Sequence, residues 1–157
     1  MSTQTRPRYD EDYHLWTLDQ AERLRAMARM RPNEPIDWEL VAEEVEDLGR
    51  SQREACESLA EQIIAHLLKL EHATATPARG HWRGEIAAFR GQLRKKLTPS
   101  IERALREAWP QRWREGRELA IEAMVEDEPD FPGRLPRDCP YPLEQVLGGW
   151  LPGRHPG

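Results

Sequence analysis

A chain of 157 residues, 38% of them hydrophobic and 32% charged, has the length of one domain. It can bury roughly 70% of its unfolded surface, enough for a core that needs no metal or disulfide staple. Two cysteines, Cys56 and Cys139, with no CxxC pair, carry no zinc signature and fit a reducing compartment. The opening MSTQTRPRYDEDYH has no apolar stretch of the secretory type, and the longest apolar run, IIAHLLKL, is far too short to span a bilayer. The expectation is a cytoplasmic protein without a membrane partner.

The net charge of −5 conceals two blocks. Residues 34–71 hold eleven acids and three bases, a balance of −8; residues 79–117 hold eleven bases and four acids, a balance of +7. Blocks of this kind can steer partners, or face one another inside a bundle.

Apolar spacing is helical almost throughout. In the first segment, from Tyr9 to Met30, the residues Tyr13, Trp16, Gln20, Leu24 and Met27 follow steps of three and four and define one face. Pro32 and Pro35 forbid a continuing ladder, and Asp37 can cap the next helix. That helix is expected from Trp38 to His72, with a stripe of Trp38, Val41, Val45, Leu48, Gln52, Ala55, Leu59, Ile63, His66 and Leu70. Its phase holds across Gly49, which favours continuity. A glycine stop followed by the capping box Ser51 to Glu54 opposes it. So does its length of about 54 Å as one helix, against roughly 40 Å for a compact domain of this size.

A third helix carries Trp82, Ile86, Phe89, Leu93 and Leu97. Thr98 followed by Pro99 reads as an N-cap and first helical position. The fourth segment carries Ile101, Leu105, Ala108, Trp113, Gly116, Ala120 and Met124, with Pro110 set to kink or split it. EPDFPGRLPRDCPYP then holds five prolines in fifteen residues. An extended strap is expected there, anchored by Phe131, Leu135 and Tyr141, before a short helix in PLEQVL. The architecture expected is one all-α domain over residues 1–157: an elongated antiparallel bundle of about four long helices, a Pro-rich strap over 127–142 and a short terminal helix, frayed at 1–8 and 152–157.

Glu39, Glu43, Glu44, Glu46 and Asp47 crowd the start of the second helix. On the wheel most face water, and only Glu44 approaches the edge of the apolar stripe. The spacings Glu43-x-x-Glu46 and Glu44-x-x-Asp47 are similar to half of the metal site in all-α nucleotide pyrophosphohydrolases. Such a site needs carboxylates converging from two helices, and the later acids Glu115, Glu118 and Glu122 lie on a mixed, partly basic segment. If the second helix is continuous, Glu44 and His66 are about 33 Å apart and cannot share a metal within one chain. His66, on the apolar stripe, reads as a core or interface histidine bonded to a neighbouring helix. Arg83, Arg90 and Arg94 share a face of the third helix, near Arg79, Lys95 and Lys96. Pairing with the acidic second helix is the economical reading, and phosphate contact the sharper one. The six tryptophans read as core and interface anchors. There is no Gly-rich phosphate loop, GxSxG or HExxH.

The segments YDEDYHLWTLDQAERLRA, WELVAEEVEDLGRSQREA, HLLKLE and CPYPLEQVL, in this order, resemble a bacterial all-α family catalogued as domain of unknown function number twenty-nine. The resemblance runs from about Tyr9 to Leu151. It implies a small helical protein and no established activity. Asp12, Trp16, Glu43, Glu44, Gly49, His66, Cys139, Pro140 and Tyr141 match the family pattern, while Pro142 stands where the family more often has threonine, a better cap.

The functional expectation is a non-enzymatic helical module acting through a protein partner or self-association, without a cofactor. The alternatives are a magnesium-dependent nucleotide hydrolase with Glu43, Glu44 and Asp47 as metal ligands, and a nucleic-acid-binding protein using the arginine face. The candidate functional positions are Asp12, Glu43, Glu44, Asp47 and His66, with Arg83, Arg90 and Arg94.

Overall fold

A computed structural model describes residues 5–75 and 77–153. Among these, the regular elements are helices, without a strand: α1 (Tyr13–Met30), α2 (Trp38–His72), α3 (Arg79–Lys96), α4 (Pro99–Glu107), α5 (Trp109–Met124), α6 (Phe131–Arg134) and α7 (Leu143–Leu147). Of the ends expected to fray, residues 1–4 and 154–157 lie outside the described residues.

Local chemistry sets the helix ends. Asp12 caps α1 by accepting the Leu15 N–H at 2.9 Å, and the Arg31 N–H closes the last turn on the Met27 carbonyl. Asp37 caps α2 through the Leu40 N–H at 3.1 Å. Thr98 Oγ1 accepts the Ile101 N–H at 3.3 Å, and Pro99 opens α4, where its missing donor costs nothing. Pro110 splits the fourth segment as its ring requires. α4 stops at Glu107, Ala108 is the cap of α5, and Pro110 falls in the first turn of the new helix, where its N–H would be an orphan anyway. α2 runs unbroken for 35 residues through Gly49. The glycine serves a close approach, not a stop.

The chain divides into two compact units. The first comprises residues 1–55 and 97–103, the second 56–96 and 104–157. In the first unit α1 lies antiparallel to the opening turns of α2. Thr17 meets Gly49, and Arg25 reaches Glu39 and Glu46. The buried line on α1 is His14, Thr17 and Ala21; on this part of α2 it is Ala42 and Gly49. A Cβ added at Gly49 would lie 1.9 Å from Thr17 Oγ1, so only glycine fits. The stripes expected from apolar spacing are therefore not the buried lines here. Tyr13, Trp16, Gln20, Leu24 and Met27 are half-buried, and Val41 and Leu48 are exposed. Backbones that meet through glycine, alanine and threonine leave no room between them for large side chains, which move to the flanks.

The second unit is built the usual way. Ile63, Ile64, Leu67 and Leu68 of α2 are fully buried, and α3 contributes Trp82, Ile86 and Leu93. The run from Ile63 to Leu70 is buried on all sides, as expected for a helix crossing the middle of a core. Gly116 lets α5 close on α2, since its added Cβ would lie 2.7 Å from Ile64 Cγ2 and 3.0 Å from the Glu61 carbonyl. Residues 127–142 contain the helical turn α6, and Phe131, Leu135 and Tyr141 are buried. Glu128 accepts the N–H groups of Thr74 at 3.0 Å and Ala75 at 2.9 Å, ion-pairs with Arg134, and Arg134 donates to the His72 carbonyl at 3.0 Å. This knot ties down the end of α2. Pro142 precedes α7 without a side-chain cap bond, as a threonine-to-proline departure predicts.

Candidate functional site

The first unit has two unlike edges. At one edge Arg25 lies between Glu46, 2.6 Å away, and Glu39, 3.4 Å away. The other edge of α2 carries Val41 and Leu48, about 100–120° round from the Ala42–Gly49 line, and Leu40 lies beyond them on the outer face. Leu48 is 57% exposed, Leu40 52% and Val41 39%. Because the helices are antiparallel, the Tyr13, Trp16 and Met27 flank of α1 belongs to this same apolar edge. Tyr9, Tyr13 and Trp16 pack together there, with ring centroids 5.0–6.0 Å apart. Single exposed leucines need no explanation, whereas a row of large apolar side chains along one helix is the pattern of an interaction surface.

The acidic candidates share this helix, and Glu44, four residues from both Leu40 and Leu48, lies between them on the outer face. Glu43, Glu44 and Asp47 are all exposed. The wheel placed Glu44 nearest the core; with Ala42 and Gly49 as the true inner line, it points outward, about 160° from that line. Asp47 pairs with Arg50 at 2.8 Å. A cavity of about 340 Å³ is lined by Glu43, Glu46 and Asp47, but also by Arg25 and Arg50, which compete with any cation for the carboxylates. Among the described residues no group of three or more histidine, cysteine or acidic side chains is arranged to hold a metal ion.

Asp12 does more than cap α1. Its second oxygen accepts the Ser100 N–H at 2.8 Å, and Oδ1 accepts the Ser100 hydroxyl at 2.7 Å. It therefore caps α1 and α4 together. His14 Nδ1 lies 2.9 Å from the same hydroxyl. The order of contacts is not that of a catalytic triad, because the carboxylate holds the serine directly instead of orienting the imidazole. Burial would raise the Asp12 pKa, but bonds from Leu15, Ser100 and Thr98 outweigh it and hold the carboxyl below the ordinary value of 3.8.

In the second unit His66 is buried with both ring nitrogens facing acceptors. Nδ1 is 2.7 Å from the Gln62 carbonyl, and Nε2 meets the Glu85 carboxylate of α3. The ring therefore bridges a turn of its own helix to the carboxylate of α3. His81 Nε2 approaches the same carboxylate at 3.3 Å, and the Lys69 ammonium lies 5.3 Å from the centre of the Trp82 ring. Burial opposes the charge on Glu85, yet the His66 bond and the neighbouring cations hold its pKa below the usual carboxylate range. Burial pushes Lys69 down, and Glu85 pulls it partly back. The acid and the base of this cluster are spent on each other.

The arginine face is also brought together in this unit. Arg90 is buried and donates to three carbonyls, Val146 at 2.9 Å and Gln145 and Trp150 at 2.8 Å. It thereby caps the C-terminus of α7 rather than pairing with the acids of α2. Arg83 and Arg94 flank it on the exposed side of α3.

Residues 8–151 match the family model described as Domain of unknown function DUF29. The chain belongs to this family. No curated protein matches the DUF29 chain. Among solved structures it is similar to an alpha-helical protein of unknown function from Rhodospirillum rubrum. The two are 28% identical with a TM-score of 0.77, over 91% of this chain and 90% of that one. Among the described residues no helix of the DUF29 chain is long and apolar enough to cross a membrane.

Several of the residues matching the family pattern now have physical roles. Asp12 joins two helix starts, Gly49 permits the α1–α2 approach, and His66 bridges α2 to α3. The Tyr141 hydroxyl donates to Glu71 at 2.5 Å, and the Cys139 thiol to the Tyr141 carbonyl at 3.0 Å. Sequence reasoning missed Glu85, Ser100, Glu71 and Glu128, which act across 19 to 88 residues and leave no local signal. It also missed the inner line Ala42, Gly49, Cys56, although small residues at a spacing of seven were there to be read.

Proposed function

We propose that this DUF29 chain is a non-enzymatic interaction module whose contact surface is the apolar edge of its first unit, and that the simplest occupant is a second copy of the chain. The observation that carries this is the exposure of Leu40, Val41 and Leu48 on the opening turns of α2, whose buried line there is Ala42 and Gly49. A helix that keeps alanine and glycine for its own partner and turns leucine and valine outward is suited to association through that outer face. Leu40 to Leu48 covers about two turns, the length over which a paired helix gains several knobs-into-holes contacts. A two-fold axis would let each copy present the same edge to the other. The acidic stretch supports this reading over a magnesium-dependent hydrolase, because Glu39 and Glu46 are engaged by Arg25, and Asp47 by Arg50.

Light scattering on the chain from low to high micromolar concentration tests the reading. The expected result is a mass that rises toward twice the monomer with concentration. A constant monomer mass would contradict self-association.

A further inference from the structure

The second unit contains a concentration of positive charge that its fold does not use up. A groove of about 210 Å³ runs between α3 and the chain just after α7, and its walls include Arg83, Arg90 and Arg94 on one side and Gly148 and Gly149 on the other. The lining contains no acidic residue. Arg90 spends Nε and Nη2 on three backbone carbonyls, and Nη1 bonds to none of the described residues. Its charge is thus buried against dipoles, with no carboxylate partner among the described residues. Burial and the neighbouring Arg94 both press against that charge, but a guanidinium keeps its proton throughout the ordinary pH range. Arg83 and Arg94 pair with no carboxylate among the described residues.

Helix electrostatics explains only part of this. Cations in the last turn complement the α3 macrodipole, which accounts for Arg94, Lys95 and Lys96. Arg83 stands about three turns earlier, where that effect is absent. Three guanidinium groups around one small groove, with a fixed central one braced by carbonyls, form a fork-donor arrangement suited to a compact oxyanion of more than one negative charge. A single carboxylate would leave most of the charge unmatched.

We propose that this groove binds a phosphate-type oxyanion, held by Arg83 and Arg94 at its mouth and by the free Nη1 edge of Arg90 at its base. The small volume and the wall formed by Gly148, Gly149 and Leu151 fit a terminal phosphate or pyrophosphate group of a small ligand better than a continuous nucleic-acid backbone.

Calorimetric titration of the full chain with inorganic pyrophosphate at low salt tests the proposal. A single saturable site is expected, weakened at least tenfold in the double variant Arg83→Gln/Arg94→Gln. Arg90 is left intact, because it braces the end of α7. A charge-matched control, Arg50→Gln/Arg114→Gln, should bind as the wild type does, and unchanged melting temperatures should show all three proteins folded. Absence of pyrophosphate binding would overturn the proposal, as would equal weakening in the control. So would binding of a short single-stranded oligonucleotide that pyrophosphate cannot displace, which would assign the face to nucleic acid instead.

Discussion

The two units of this chain solve the same packing problem in opposite ways. In the second, large apolar side chains fill the space between helices, and Gly116 is a local exception that lets α5 approach α2. In the first, the inner line is small, from Thr17 and Ala21 to Ala42 and Gly49, and the large apolar residues stand outside it. The second unit spends its apolar surface on folding. The first keeps part of it available, which is why the association surface is assigned there. The contrast also shows that an apolar stripe identifies a helix more surely than it identifies which side of that helix is covered.

Core truncations should separate the units most strongly. Leu68→Ala removes a fully buried side chain and is expected to cost about 2–5 kcal/mol. Leu48→Ala, on the exposed row, should change stability by no more than ~0.5 kcal/mol. Urea unfolding of both variants checks this, and a Leu48→Ala cost near that of Leu68→Ala would erase the distinction. Next come the two glycines. Gly49→Ala drives a methyl into Thr17 and Gly116→Ala drives one into Ile64 and the Glu61 carbonyl, each expected to cost about 1–3 kcal/mol by overpacking. The Gly49 penalty should shrink when Thr17→Ala is added, since Thr17 Oγ1 is the nearest obstacle. An undiminished penalty would place the strain elsewhere.

Asp12 gives a smaller effect with a pH signature. Asp12→Ala loses the caps of α1 and α4, a loss of about 1–2 kcal/mol at neutral pH. The folded carboxyl titrates below its ordinary value of 3.8. Its contribution is therefore fully present above that value and is lost as pH falls through the lower folded one. The wild type should lose stability over that acid window, and the gap between wild type and Asp12→Ala should narrow there. A gap that stays constant down to pH 2 would contradict the assignment.

How far the sequence could be read follows the same division. Caps at Asp12, Asp37 and Thr98 and the split at Pro110 were legible, because each depends on residues within a turn of one another. The second unit's stripe of Ile63, His66 and Leu70 was legible because large residues face its core. The first unit's inner line was not, because apolar spacing weights leucine and valine and passes over Ala42 and Gly49. Glu44 was consequently turned the wrong way. The partners of His66 and Asp12 were invisible for a different reason: Glu85 and Ser100 come from other helices, and only tertiary packing brings them near.

Sedimentation velocity on wild type and Leu48→Glu, at matched concentrations from 1 to 100 micromolar (about two decades, wide enough to bracket a micromolar dissociation constant), tests the central claim most directly. The account predicts that the wild type associates with rising concentration while Leu48→Glu remains a folded monomer with nearly unchanged stability. Association that persists undiminished in Leu48→Glu, or a wild type that is monomeric throughout, would contradict it.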